Sequence, residues 1–106
     1  MDIFYANRKQ EKIFSNPRLL KKEYNLLSNK IMIRLTELIS ANCLENIPSD
    51  PPPRRHKLSN DLDEKWAVDL DGKTRLVFEP YGSYDINDLT SITSIKIIDV
   101  MNYHNT

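Results

Sequence analysis

Most of the candidate residues for acid–base chemistry or phosphate binding lie in two short segments of this chain. They are "RRHKL", residues 54–58, and "NYHNT", residues 102–106. The candidates within them are Arg54, Arg55, His56, Lys57, Tyr103 and His104. The chain has only two histidines, and histidine is the side chain that most readily exchanges a proton near neutral pH. Either segment alone is typical of ordinary surface, so its chemical meaning depends on whether the two converge in the fold.

Arg75 is a further candidate because the side of the predicted hairpin on which it lies is otherwise made of Trp66, Val68, Leu70 and Val77. A guanidinium group among apolar neighbours needs an anion or a carboxylate as its partner. Two alternatives are open: Arg75 pairs internally with an acid such as Glu79, or it is available to a ligand. Lys73, two residues earlier in the chain, is another cation that can contact a phosphate.

Together these residue types suit the cleavage of RNA without a metal ion. In that reaction a base removes the proton of the 2′-OH, cations stabilise the charge on the phosphate, and an aromatic ring stacks on a nucleobase. The sequence contains two glycines and one cysteine, Cys43, so it has no glycine-rich phosphate loop and no thiolate set for structural zinc. We therefore expect no cofactor and no metal site.

Length and charge narrow the class of protein further. The 106 residues fit one domain, residues 1–106, and no apolar run approaches the roughly 20 residues that cross a bilayer. We expect a cytoplasmic protein that does not contact a membrane. Residues 1–34 hold eight basic and three acidic residues, whereas residues 61–106 hold four and nine, and the total formal charge is zero. Because nucleic-acid binding requires cations, a phosphate site in this chain must be local.

Sequence patterns predict one strand and two helices in the first half of the chain. "DIFYAN" has the aromatic and β-branched residues of a short strand. Asn16 is a suitable N-cap and Pro17 a suitable first residue for a helix. A second helix from Ser28 has an apolar stripe, and "IPSDPPP" ends it. The stripe consists of Ile31, Leu35, Leu38, Ile39 and Cys43, whereas Arg34, Glu37 and Ser40 fall outside it.

Period-two alternation after residue 64 predicts a β-hairpin and a final strand. "KWAVDL" and "TRLVFE" flank Asp71-Gly72, the dipeptide that best fits a two-residue type I′ turn. That turn would place Trp66, Val68, Leu70, Lys73, Arg75 and Val77 on one side of the sheet, and Ala67, Leu76 and Phe78 on the other. "ITSIKIIDVMNY" predicts the last strand. The result is an α+β fold in the order β-α-α-β-β-β, with two helices packed on an antiparallel-rich sheet whose other face is left for a site.

The order of these motifs resembles the RelE/ParE superfamily of bacterial toxins, and its HigB-like branch in particular. The resemblance lies in "HKLSNDLDEKWAVDLDGKTRLVFEP" and "IKIIDVMNYH". It implies a RelE-like fold, the toxin of a type II toxin–antitoxin system, and ribosome-dependent cleavage of mRNA. It also implies a small cognate antitoxin, often of the helix-turn-helix type.

The same resemblance implies roles for individual residues. His104 would transfer protons, Tyr103 would orient or stack the substrate, and Lys57 and Arg75 would hold the scissile phosphate. His56 would be a further catalytic residue, and Arg54, Arg55 and Lys73 would bind RNA. The neutral charge of the chain and Asn102, which stands where an acid often precedes Tyr-His, depart from the pattern. The same fold also hosts gyrase-targeting toxins, so the alternative is a non-enzymatic binding module: a gyrase-targeting toxin or an inactive antitoxin partner.

Overall fold

A computed structural model describes residues 1–59 and 64–103, which form three helices on one side of a five-stranded sheet. The helices are α1 (Arg8–Phe14), α2 (Pro17–Tyr24) and α3 (Ser28–Ser40). The strands are β1 (Asp2–Tyr5), β2 (His56–Lys57), β3 (Trp66–Asp69), β4 (Thr74–Pro80) and β5 (Ser94–Asn102). None of the helices in these residues is long and apolar enough to span a membrane.

The strand order in the sheet is β1-β5-β4-β3-β2. The β1–β5 pair is parallel, and the other three pairs are antiparallel. The predicted α+β fold is thereby confirmed, including the final strand, which lies between β1 and β4. The short helix α1 and the two-residue strand β2 are additions to the predicted order.

Local capping explains where the first two helices begin. The Asn16 side chain accepts hydrogen bonds from the backbone N–H groups of Arg18 and Leu19, and Pro17 is the first helical residue. This start of α2 confirms the predicted one, because the cap depends only on neighbouring residues. Asn7 caps α1 in the same way by accepting from the N–H of Gln10.

Helix α3 buries Ile31, Leu35 and Leu38 as predicted, but the predicted stripe is wrong at three positions: Arg34, Ile39 and Cys43. Ile39 is 55% exposed, whereas Arg34 is only 6% exposed. Arg34 can be buried because its guanidinium group is satisfied. Its Nε donates to the Asp69 carbonyl at 2.8 Å and its Nη2 to the Pro52 carbonyl at 3.2 Å, while Nη1 contacts Glu37 Oε1 at 3.0 Å. Cys43 lies beyond the helix, which ends at Ser40.

The hairpin of β3 and β4 forms, but its register differs by one residue from the predicted one. Asp69 is paired with Arg75, and Leu70 N–H donates to the Thr74 carbonyl at 3.0 Å. The loop therefore has three residues, 71–73. The Asp71 carboxylate stabilises it by accepting from the backbone N–H groups of residues 73 and 74 at 2.8 and 2.7 Å. Gly72 does not take the positive φ that a type I′ turn requires.

This register assigns the hairpin side chains to faces in a way that corrects the prediction. The helix-facing side of the sheet carries Ile3, Tyr5, Trp66, Val68, Leu76, Phe78, Ile95 and Ile97. The opposite side, called the distal face below, carries Phe4, His56, Ala67, Asp69, Arg75, Val77, Glu79 and Lys96. Arg75 is thus separated from the Trp66 and Val68 side chains with which the two-residue turn would have grouped it. It shares its face with a small second cluster of Leu58, Ala67 and Val77.

Candidate functional site

Tyr103 is the centre of a polar cluster at one end of the distal face. It follows β5 directly, and its backbone N–H donates to the Lys73 carbonyl at 2.9 Å, which fixes the end of the strand against the hairpin loop. The side chains around its ring and hydroxyl group come from the segment before β2, from β2 itself, and from the two hairpin strands. We call this set the tyrosine cluster: Arg54, His56, Asp69, Arg75 and Tyr103.

Asp69 is the acceptor that holds Arg54 and Tyr103 together. Arg54 Nε and Nη2 donate to the two carboxylate oxygens at 2.6 and 3.0 Å. The Tyr103 hydroxyl donates to the Asp69 carboxylate and accepts from Arg54 Nη2 at 2.7 Å. Burial alone would raise the pKa of Asp69, but the hydrogen bonds from Arg54 and Tyr103 outweigh it and lower the pKa. Burial, reinforced by the bond to Asp69, raises the pKa of Tyr103 to about 12.

The backbone around Arg54 is fixed by the proline segment before it. Arg54 has a φ of 46°, in the left-handed region that costs a non-glycine residue roughly 1–2 kcal/mol. Neighbouring hydrogen bonds offset this, since Asp69 N–H donates to the Pro53 carbonyl at 2.8 Å and Arg54 N–H to the Asp50 carbonyl at 3.1 Å. The Arg34 contact with Pro52 ties the same segment to α3.

His56 presents one ring nitrogen to the tyrosine cluster in a fixed tautomer. Its Nδ1 lies 2.7 Å from the Arg54 carbonyl oxygen. A carbonyl can only accept, so Nδ1 carries the proton in this contact. In the neutral imidazole Nε2 therefore keeps its lone pair, and it lies 3.4 Å from the Tyr103 hydroxyl oxygen. The two rings are stacked with centroids 6.1 Å apart. The geometry leaves Nε2 able to accept a proton.

Arg75 stacks on Tyr103 and pairs with no acid in residues 1–59 and 64–103. Its guanidinium carbon lies 4.7 Å from the ring centroid, and its Nε is buried without a hydrogen-bond partner among those residues. Glu79, the predicted internal partner, instead contacts Lys65 at 3.5 Å and Lys96 at 3.3 Å. Of the two alternatives left open by the sequence, the arginine available to an anion fits this arrangement.

Two predicted candidates, Arg55 and Lys57, lie away from the tyrosine cluster. Arg55 Nε donates to the Ile47 carbonyl at 2.7 Å, and its guanidinium carbon lies 5.6 Å from the Trp66 ring centroid. Lys57 is paired with Trp66 in the β2–β3 register, which directs its Cβ to the helix-facing side of the sheet. The expected convergence of Lys57 with Arg75 is therefore wrong, because the pleat sends adjacent residues of β2 to opposite faces.

Lys73 and His104 are the remaining two candidates. Lys73 is exposed in the hairpin loop, and it is the backbone carbonyl of this residue that contacts Tyr103. His104 lies outside the described residues, so its role in proton transfer stays a prediction.

Asp69 is the site residue that the sequence analysis missed. The period-two pattern predicts Asp69 on the other side of the sheet from Arg75. An acidic residue in that position is typical of an ordinary solvent-exposed surface. Counting the hairpin from a three-residue loop puts Asp69 directly across from Arg75, and a carboxylate opposite an arginine would then have been a signal. The side chain of Asp71 stabilises that loop by accepting from the backbone that follows it.

No protein-family model and no curated protein matches the chain in sequence, but several solved structures match its fold. A YoeB/ParE toxin from Agrobacterium tumefaciens has 12% identity and a TM-score of 0.58, covering 98% of this chain and 100% of its own. YafQ in the DinJ–YafQ complex from E. coli has 15% identity and a TM-score of 0.58, covering 95% and 91%. The YoeB–YefM complex from Staphylococcus aureus has 18% identity and a TM-score of 0.54, covering 98% and 97%. The chain has the fold of these YoeB and YafQ toxins. Its assignment to the HigB-like branch stays a prediction from the sequence motifs.

Within this fold the tyrosine cluster combines three groups on one face of the sheet: Arg75, which pairs with no acid among residues 1–59 and 64–103, the His56 imidazole lone pair, and the Tyr103 ring. Such a set can hold an anionic group at Arg75 and move a proton at His56 Nε2. Tyr103, whose pKa is raised to about 12, keeps its proton at neutral pH and orients its neighbours. No three His, Cys, Asp or Glu side chains of residues 1–59 and 64–103 come together as a metal site requires.

Proposed function

We propose that this chain is the toxin of a type II toxin–antitoxin system that cleaves mRNA on the ribosome without a metal ion. The observation that carries the proposal is Arg75, which stacks on Tyr103 without an acidic partner in the described residues and shares the distal face with His56. A phosphodiester supplies the anion that such a guanidinium group needs. The toxin fold of the structural neighbours supports the same conclusion.

The proposed reaction uses the nucleophile that RNA itself provides. The 2′-oxygen attacks the adjacent phosphorus, the bond from phosphorus to the 5′-oxygen breaks, and a 2′,3′-cyclic phosphate and a 5′-OH result. His56 Nε2 would take the proton of the 2′-OH, and His104, from the sequence prediction, would return a proton to the 5′-oxygen. Arg75 would neutralise the charge that develops on the phosphate.

The proposal includes a protein partner. YoeB and YafQ are each found in complex with a second protein, YefM and DinJ. By analogy we propose that a small cognate antitoxin binds this chain and neutralises it, and the motif resemblance suggests the helix-turn-helix type. The product of the adjacent reading frame is the first partner to test.

The deciding experiment is inducible expression in a bacterium, with mapping of mRNA ends in the presence and absence of that partner. We expect arrested growth and cuts in phase with codons, and rescue by the partner. Arg75→Ala and His56→Ala should each abolish the cuts, and His104→Ala tests the sequence prediction. Lys22→Ala, which removes an exposed cation of α2, is the matched control and should leave the cuts unchanged. Codon-phased cuts that persist in Arg75→Ala would refute the role of this arginine.

A second candidate function is a non-enzymatic binding module, either a gyrase-targeting toxin or an inactive antitoxin partner. It is favoured by the Asp69 carboxylate, which neutralises Arg54, and by the formal charge of zero, since both reduce attraction to RNA. This function predicts intact mRNA, with damaged DNA if gyrase is the target. It also predicts effects on growth that are indifferent to changes at His56, Arg75 and His104.

A further inference from the structure

Two exposed aromatic rings lie on the distal face, away from the tyrosine cluster. Phe4 in β1 and Tyr81 directly after β4 are 42% and 43% exposed, and their ring centroids are 4.4 Å apart with an interplanar angle of 33°. Lys96 Nζ lies 5.5 Å from the centroid of the Tyr81 ring. Aromatic rings gain most from burial, so a pair that is this exposed offers contact area to a ligand.

The strand register puts these rings on the same face as Arg75. Phe4 is paired with Lys96, and Lys96 is paired with Glu79. Glu79, Val77 and Arg75 are alternate residues of β4, so their side chains share one face. Arg75 and Glu79 are four residues apart, which is about 13 Å along a strand. A short stretch of extended RNA would span the distance between the tyrosine cluster and the two rings.

The space beside the rings suits a flat, uncharged group. A cleft of about 480 Å³ is bounded by Phe4, Tyr81, Asn7, Arg8, Glu11 and Lys96, among others. This volume lies in the range of sites that hold small organic ligands. Lys96 is offset by Glu79, whose Oε1 lies 3.3 Å from its Nζ, and Glu11 faces the same cleft as Arg8. Because the charges balance, the cleft favours a nucleobase over a phosphate.

We propose that Phe4 and Tyr81 form a stacking platform for a nucleobase of the same RNA strand whose phosphate Arg75 contacts. This inference rests on the proposed RNA-cleaving function and extends it to a second contact with the substrate. Arg75 holds the strand through charge, and the platform holds it through stacking. Every nucleobase has an aromatic face, so the platform tolerates any sequence. It positions the strand on the distal face and takes no part in proton transfer.

The test is the affinity of the full chain for fluorescently labelled single-stranded RNA, measured by anisotropy. Methylation of the 2′-oxygens prevents cleavage, and a hexanucleotide is compared with a dinucleotide too short to reach both sites. Tyr81→Ala should weaken binding of the hexanucleotide roughly tenfold and leave the dinucleotide unchanged. Tyr81→Phe keeps the ring and should keep the affinity. Leu26→Ala, which truncates a side chain that is 94% exposed, is the matched control and should have no effect.

The salt dependence separates the two contacts. Arg75→Ala should reduce the slope of log affinity against log salt concentration by about 0.7, the value for one phosphate contact in single strands. Tyr81→Ala should leave that slope unchanged. A Tyr81→Ala chain that binds the hexanucleotide as tightly as the wild type, while Arg75→Ala binds it more weakly, overturns the platform and leaves the proposed function standing.

Two other outcomes also overturn the platform. One is a wild-type chain that does not bind the hexanucleotide at all, in which case the mRNA mapping described above still decides the proposed function separately. The other is a Tyr81→Ala chain that loses binding to the partner protein and retains binding to RNA. That result would assign the aromatic pair to protein docking.

Discussion

Asp69→Asn should destabilise the protein at neutral pH and have little effect in strong acid. The carboxylate accepts two hydrogen bonds from Arg54 and one from Tyr103. The amide keeps one acceptor but turns an N–H₂ donor towards a guanidinium group. Hydrogen bonds to charged groups contribute about 1.5–3 kcal/mol. Because the side chains of Arg54 and Asp69 are 41% and 21% exposed, solvent screening favours the lower end, about 1.5 kcal/mol.

The pH dependence follows from the lowered pKa of Asp69 in the folded protein. Its stabilising contribution is fully present above the unfolded value of about 3.9 and is lost as the pH falls through the folded pKa. The free energy of unfolding is measurable by urea titration with the fluorescence of Trp66, the single tryptophan. The difference between wild type and Asp69→Asn should shrink as the pH falls from 7 towards 2.

The matched control for this prediction is Glu45→Gln, which changes an exposed carboxylate. It should leave the free energy of unfolding nearly unchanged at both pH values. A difference between wild type and Asp69→Asn that stays constant across the pH range would show that the ion pair is not its source. Asp69 would then not be the acceptor that holds Arg54 and Tyr103 together.

Three further predictions concern the residues that support the site. Arg34→Met should lower the free energy of unfolding by about 2 kcal/mol, because it leaves the carbonyl groups of Asp69 and Pro52 and the Glu37 carboxylate without their donor; urea titration measures this, and a loss below 1 kcal/mol would contradict it. In an ultraviolet titration, Tyr103→Phe should remove a tyrosine that ionises near pH 12 and leave the other late-ionising tyrosine, Tyr24, whose pKa is raised chiefly by burial. Asp71→Ala should lower the free energy of unfolding by about 1 kcal/mol through loss of the loop hydrogen bonds, and Asp71→Asn, which keeps a side-chain oxygen as acceptor, should recover most of that.

Features that depend on neighbouring residues were predictable from the sequence. The start of α2 at Asn16 and Pro17 is an example, because the cap and the helix it begins lie within a few residues of each other. The buried stripe of α3 was predictable at Ile31, Leu35 and Leu38 for a similar reason, since a 3.6-residue period is a property of one segment.

Features that depend on distant partners were not predictable. Arg34 lies inside the fold because its guanidinium group donates hydrogen bonds to carbonyl groups of two other segments. No residue pattern within α3 indicates these partners. Asp69 and Arg54 form an ion pair across 15 positions of sequence. The face of Arg75 could have been predicted only by choosing between loops of two and three residues, and Asp71-Gly72 suits both.

The pairing across the hairpin has a consequence for how chains of this fold are compared. Arg75 lies on the distal face because Asp69 is its cross-strand partner, and paired residues share a face of the sheet. A register shift of one residue, with Lys73 opposite Leu70, would exchange the faces of Arg75 and Leu76 without altering any strand residue. Equivalence between chains of this fold at this arginine should therefore be judged by its cross-strand partner. An alignment of the strand letters alone can match an arginine of the distal face with a core leucine.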